Sequence, residues 1–175
     1  MGEIVTDTTS STRILVRWVV MLLLIGAGAM VLVGGWPRAT ATVSDGELHI
    51  EVSGYRIDPG ELVLPAGEEI TLVVTNVGGF THNLAVGRGP VRVDGHTVGF
   101  EEDLLAVAAR SAEPAQALIT PVDRAVPTTI SVRPGATVRV EVEVPATLVG
   151  TWELGCFQGS GCRARIDQPA VLRVE

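Results

Sequence analysis

Two cysteines near the C-terminal end of the chain, Cys156 and Cys162, are the residues with the clearest chemical potential. Two cysteines are too few for a dense disulfide scaffold or a four-cysteine zinc site. In an oxidising compartment they can form a disulfide across one short loop, which would stabilise the fold by about 2 kcal/mol by restricting the unfolded chain. A second interpretation is a reactive thiol pair for disulfide exchange, with Arg163 and Arg165 as the nearby cations that favour a thiolate.

The composition excludes several other kinds of chemistry. The chain has 13 basic residues, all of them arginine, against 20 acidic residues. Its net charge of −7 argues against binding to nucleic acid, which requires a basic face. The sequence holds no Ser-His-Asp ordering, no glycine-rich phosphate loop and no HExxH helix. We therefore expect a protein that is not an enzyme.

An apolar stretch at residues 18–36 predicts where the protein resides. Its nineteen residues carry no charge, and as a helix they would span about 28 Å, close to the hydrocarbon thickness of a bilayer. Trp18 and Trp36 lie at its ends, where aromatic rings favour the membrane interface, and the flanking arginines favour residues 39–175 outside. We expect a cytoplasmic segment at 1–17, a transmembrane helix or signal-anchor at 18–36, a linker at 37–47 and one domain at 48–175.

A competing interpretation removes this segment. Ala39-Thr40-Ala41 fits a signal-peptidase pattern, so that the chain would be secreted after cleavage near Ala41. The apolar run is, however, longer than the usual core of a signal peptide. Both interpretations export the remaining chain to a compartment where its cysteines can be oxidised.

The exported part has the pattern of an all-β protein. Residues 137–144 alternate strictly between valine and polar residues, as expected of a strand with one face in a core. Further strands are expected at 49–52, 61–64, 69–77, 81–86, 128–132, 151–156 and 170–174, which predicts a sandwich or barrel. Residues 87–126 form an insertion with a hairpin at Asp94-Gly95 and a short helix at 100–109, whose start at Glu101-Glu102-Asp103 would be solvated.

The order of these pieces resembles the cupredoxins, the family of blue copper proteins. The resemblance rests on residues 59–68, on the strand 72–76 followed by Thr81-His82-Asn83-Leu84, and on the closing segments 130–135 and 150–156. It implies a Greek-key cupredoxin-like β-sandwich preceded by the N-terminal helix. It also implies a copper site in which His82 is an imidazole ligand and Cys156 the thiolate, while Asn83 ties the ligand loops together.

The ligand set that the resemblance implies is incomplete in this sequence. The family's second histidine, a few residues after the cysteine, falls on Gly161 or Cys162, and its axial methionine falls near Ile166. No methionine follows Met30 and no histidine follows His96. A copper site would therefore need a substitute ligand, either Cys162 or His96 from the insertion.

Two functions from different classes remain open at this point. The first is an exported, membrane-anchored protein with an atypical copper-binding or electron-transfer site, which would exchange electrons or metal with a membrane-bound redox or copper-handling protein. The second is a copper-free interaction or structural module. In that module a Cys156–Cys162 disulfide replaces the metal, and the insertion at 87–126 supplies the contact surface.

Overall fold

Two β-sheets that share one hydrophobic core make up the fold. The computed structural model of the chain describes residues 39–54, 56–93, 96–121, 126–157 and 169–175. These residues are mostly in strands, in agreement with the predicted all-β sandwich. Within these ranges no helix is long and apolar enough to cross a membrane, and the predicted transmembrane stretch at 18–36 lies outside them.

The larger sheet has eight strands. They are β1 (Thr40–Thr42), β4 (Glu61–Leu64), β6 (His82–Val93), β7 (His96–Asp103), β9 (Leu118–Ile119), β10 (Thr129–Val132), β12 (Gly150–Cys156) and β13 (Ala170–Val174). Their order across the sheet is β1-β4-β13-β12-β6-β10-β9, and β7 pairs with β6 beside this path. The pairs are antiparallel except that β4 runs parallel to both β1 and β13.

The smaller sheet has five strands. They are β2 (Glu47–Ser53), β3 (Arg56–Asp58), β5 (Glu69–Asn76), β8 (Ala109–Glu113) and β11 (Thr137–Glu143). Their order is β3-β2-β5-β11-β8. The central strand β5 pairs parallel to β2 and antiparallel to β11.

The alternation seen in the sequence places the core between the sheets. In β11, Val138, Val140 and Val142 are buried while Arg139 and Glu141 are exposed. The inner faces of both sheets contribute to one apolar cluster, in which Trp152 is the largest fully buried side chain. Each fully buried valine or leucine contributes roughly 1.5–3 kcal/mol relative to an exposed one.

The predicted helix at 100–109 is wrong in its first half. The helix in the structure, α1 (Leu104–Ala108), has only five residues. Phe100 pairs with Pro90 and belongs to strand β7. The backbone of 100–103 is satisfied by the neighbouring strand, so the acidic run ends a strand rather than opening a helix. Asp103 is the N-cap of α1, and its carboxylate accepts a hydrogen bond from the Ala106 N–H at 3.2 Å.

Segment 87–126, predicted as an insertion, supplies strands to both sheets. The pairing of Val93 with His96 at the ends of β6 and β7 agrees with the expected hairpin, although the turn residues Asp94 and Gly95 lie outside the described ranges. Strand β8 is an edge of the smaller sheet, and β9 is an edge of the larger one. Short 3₁₀ turns at Ala115–Ala117 and Ala146–Leu148 complete the connections.

The strand directions define two ends of the sandwich. One end is called the entry end, because the chain enters the sandwich there. It carries the first residues of β1, β4, β6 and β13 and the last residues of β5, β10 and β12. The opposite end, called the far end, carries the first residues of β2, β5 and β12 and the last residues of β4 and β13.

Gly87→Ala is expected to lower the free energy of unfolding by about 1–3 kcal/mol. A Cβ at Gly87 would lie 2.2 Å from the Phe100 ring, whereas a Cβ at Gly79 would meet nothing within 4 Å. Gly79→Ala is therefore the matched control. Urea unfolding of the full chain in detergent measures both, and equal destabilisation by the two substitutions would contradict this packing.

Candidate functional site

His82 is a buried histidine at the first position of the long strand β6. Its side chain is 3 % exposed, and it lies opposite Val132 of β10. Burial lowers the pKa of His82 below its ordinary value of 6.5, because the charged imidazolium loses hydration. The imidazole is therefore neutral at pH 7.

The side chain of Asn76 fixes the loop that leads into His82. Its Nδ2 donates to the carbonyl oxygens of Phe80 at 2.6 Å and Val132 at 2.9 Å, and its Oδ1 accepts from the Gly78 N–H at 2.9 Å. Asn76 is fully buried, so these bonds replace the water that the amide has lost. The amide thus joins the end of β5 in one sheet to the end of β10 in the other.

The main chain of Asn76 is bound as firmly as its side chain. The Asn76 N–H donates to the Ala136 carbonyl at 2.9 Å, and its own carbonyl accepts from the Gly135 N–H at 2.9 Å. From the sequence alone, Asn76 is expected only as a residue of the strand at 69–77. An asparagine at a strand end, followed by Gly78-Gly79, is the signal that could have indicated an amide-anchored loop.

Cys156 is the last residue of β12 and lies close to His82 in the sheet. It pairs with Leu84, two residues beyond His82 on β6. Side chains two apart on a strand point to the same face, so His82, Leu84 and Cys156 all face the core. Cys156 and His82 are therefore diagonal neighbours, at a separation of about 7–8 Å between backbones.

Cys156 is disulfide-bonded and only 7 % exposed. No free cysteine is present in the described ranges. The predicted positions Gly161, Cys162 and Ile166 lie outside those ranges. A disulfide sulfur has no thiolate charge, and thiolate is the form in which cysteine binds metal.

The donor groups that the structure describes do not fit a copper ion. Among the described residues there is no group of three or more His, Cys, Asp or Glu side chains that could hold a metal ion. His82 offers an imidazole, but Cys156 beside it is a half-cystine.

The substitute ligand His96 lies too far from His82. It pairs with Val93 at the tip of the hairpin, whereas His82 begins the same strand. Val93 lies eleven residue steps along the extended strand from His82, which corresponds to roughly 35 Å. His96 as a third ligand beside His82 is therefore wrong. His49 is also remote, since it lies on the exposed face of β2 with its Nε2 3.2 Å from Glu47.

Asn83 connects the two strands of the site through its backbone. Its carbonyl accepts a hydrogen bond of 2.7 Å from the N–H of Phe157, the residue that follows Cys156. The side-chain Oδ1 of Asn83 is buried and has no hydrogen-bond partner among the described residues. Asn83 thus contributes a main-chain contact between the His82 and Cys156 segments.

Two phenylalanine rings cover the outer face of these strands. Phe157 packs edge-on against Phe100, with ring centroids 5.2 Å apart and an interplanar angle of 66°. They lie over Gly87 and Gly155, where the absence of a side chain leaves room for the rings. The hairpin of β6 and β7 is thereby packed against the end of β12, which holds the Cys156 segment in place.

Comparisons with known proteins give weak structural likenesses. No protein-family model matches the sequence, and no curated protein is significantly similar to it. A reduced auracyanin from Roseiflexus castenholzii is 17 % identical over 76 % of this chain and 99 % of its own, with a TM-score of 0.46. Auracyanin B is 18 % identical over 81 % and 92 %, with a TM-score of 0.47. Auracyanin A, a blue copper protein from Chloroflexus aurantiacus, is 16 % identical over 78 % and 100 %, with a TM-score of 0.43.

Asn76→Ala is expected to lower the free energy of unfolding by about 1–3 kcal/mol, since it leaves buried backbone groups of the loop without partners. Asn83→Ala is the matched control, because no hydrogen bond of the Asn83 side-chain oxygen is lost among the described residues. Urea unfolding of both variants is the measurement. A loss for Asn83→Ala as large as that for Asn76→Ala would contradict the anchoring role.

Stability is expected to fall as the pH drops below about 6.5. The folded-state pKa of His82 is lowered from 6.5, so the unfolded chain binds a proton that the folded chain resists. The contribution of the neutral imidazole is fully present above 6.5 and is lost as the pH falls towards the lowered folded-state pKa. Thermal unfolding between pH 7.5 and about 5 should show a flatter profile for His82→Gln.

Proposed function

We propose that this protein is an exported, membrane-anchored β-sandwich that works without copper, as an interaction or structural module. The observation that carries this proposal is the state of Cys156, which is a buried half-cystine beside His82. A disulfide at this position occupies the sulfur that a copper ion would require. The resemblance to cupredoxins then concerns the fold and leaves the metal chemistry aside.

Cys162 is the proposed disulfide partner of Cys156. The sequence contains two cysteines, so a disulfide within one chain has a single possible pairing. The bond would close a loop that starts at the entry end, directly after β12. It would stabilise the fold by about 2 kcal/mol through restriction of the unfolded chain, in the place where a metal would otherwise join the two segments.

Export and anchoring are part of the same proposal. The uncharged stretch at 18–36 supplies a membrane span, and a disulfide requires an oxidising compartment. The contact surface would be the hairpin of β6 and β7. Its distal half exposes Val91 and Val93 and lies away from the anchored end of the sandwich.

The second candidate function is a copper site that forms once the disulfide is reduced. It is favoured by one observation, the diagonal placement of buried His82 and Cys156 on the same inner face. Reduction would free a thiolate next to a neutral imidazole, with Cys162 as the additional donor. Such a protein would exchange electrons or metal with a membrane-bound redox or copper-handling partner.

The full chain, produced in an oxidising compartment, distinguishes the two candidates. We expect no reaction with maleimide before reduction and two modified cysteines after it, as counted by mass spectrometry. We also expect no intense visible band on addition of Cu(II) to the oxidised protein. Two free thiols in the protein as isolated would refute the disulfide-based module.

The copper candidate has its own decisive result. After reduction and removal of the reductant, a strong thiolate-to-copper band that disappears in His82→Gln would support a copper site at His82 and Cys156. The matched control is His49→Gln, which alters an exposed histidine on the other sheet and should keep the band. Absence of a band in the reduced protein would eliminate the second candidate.

A further inference from the structure

The entry end of the sandwich receives the chain directly from the predicted membrane segment. Strand β1 begins at Thr40, and the Ala39 carbonyl already accepts a hydrogen bond of 3.2 Å from the Glu61 N–H. Only residues 37 and 38 separate Trp36 from Ala39. The three residue steps from Trp36 to Ala39 span at most about 11 Å of chain, so very little chain separates the apolar stretch from the first strand.

The first residues of β1 belong to the folded sheet. Thr40 to Thr42 pair in register with Glu61 to Val63 of β4, and Ala41 packs against the hydrophobic core. Residues 39–42 and 47, which the sequence places in the expected linker at 37–47, are therefore part of the folded sandwich. The position of the sandwich relative to a bilayer is set by which end receives the chain.

The entry end exposes apolar side chains. Phe80 is 63 % exposed and Val77 is 58 % exposed, and both lie in the loop between β5 and β6. Asn76 holds this loop in place by its hydrogen bonds to the Phe80 carbonyl and the Gly78 N–H. A rigidly held, exposed phenylalanine is suited to the boundary between lipid headgroups and acyl chains.

Charge also distinguishes the two ends. Arg133 follows β10 at the entry end and is exposed. Arg56 of β3 lies at the same end but is paired with Asp58 at 3.3 Å, and the exposed Glu113 ends β8 nearby. The far end carries exposed carboxylates, contributed by Asp45, Glu68, Glu69 and Glu175. Near anionic lipid, the carboxylates disfavour contact through the far end, while Arg133 offers a cation at the entry end.

We propose that the entry end rests on the bilayer surface, with Phe80 and Val77 inserted between headgroups and Arg133 facing anionic phosphates. The proposal rests on the membrane anchoring in the proposed function. It implies that the His82 and Cys156 end of the sandwich faces the membrane. The acidic far end and the tip of the β6–β7 hairpin then face the aqueous compartment.

Tryptophan quenching by brominated lipid tests this orientation in the full chain. The background variant carries Trp18→Phe and Trp36→Phe, so that buried Trp152 is the remaining native tryptophan. Phe80→Trp reports on the entry end. Val149→Trp is the matched control, since Val149 is 51 % exposed and precedes β12 at the far end.

Both variants are reconstituted into vesicles of brominated phosphatidylcholine with phosphatidylglycerol, and into the same vesicles without bromine. We expect Phe80→Trp to lose emission on bromination and to show a blue-shifted maximum, while Val149→Trp behaves as the background does. Because both leaflets are brominated, the result does not depend on the direction of insertion. Equal quenching of the two variants, or quenching of neither, would overturn the proposal.

Arg133→Glu in the Phe80→Trp chain tests the charge component. It should reduce quenching in vesicles with phosphatidylglycerol and have a smaller effect in pure phosphatidylcholine. Failure of the chain to float with vesicles also overturns the proposal. So does a blue shift of the Phe80→Trp emission that occurs only when a protein partner is added. The maleimide count on the same samples reports the disulfide independently, so failure of the orientation is distinguished from failure of the copper-free module.

Discussion

The buried amide of Asn76 holds the two sheets together at the end where the candidate site lies. Its side chain satisfies two carbonyls and one N–H, and its main chain makes two further bonds to the turn between β10 and β11. In a low-dielectric interior each of these groups would be costly without a partner. The loop of 77–81 therefore has one satisfied arrangement, which fixes where β6 begins and how His82 enters the core.

The chemistry of the site follows from that placement. Burial lowers the pKa of His82 because the imidazolium would lose its hydration in the core, so this histidine stays neutral at pH 7. A half-cystine beside it is likewise uncharged. In the oxidised state, His82 and Cys156 are thus two uncharged, buried side chains without a thiolate. Reduction of the disulfide would restore the thiol of Cys156.

Local patterns in the sequence predicted most strands, because alternation of valine with charged residues directly reflects a sheet with one buried face. The predicted helix at 100–109 began too early in the chain, because nothing in its Ala- and Leu-rich pattern indicates that Phe100 packs over Gly87 in the adjacent strand. The role of Asn76 depends on Val132, which is 56 positions away in sequence. Likewise, the separation of His96 from His82 depends on the length of β6, which a short predicted strand at 81–86 did not convey.

The position of β13 in the larger sheet constrains the order in which the protein can fold. This C-terminal strand lies between β4 and β12, and it begins 106 positions after β4 ends. The pair β1–β4 therefore has no neighbour in the larger sheet until β13 has been synthesised. Such long-range, partly parallel pairing is slow, so the unfinished chain would expose unpaired strand edges, which favour aggregation, until β13 pairs with β4.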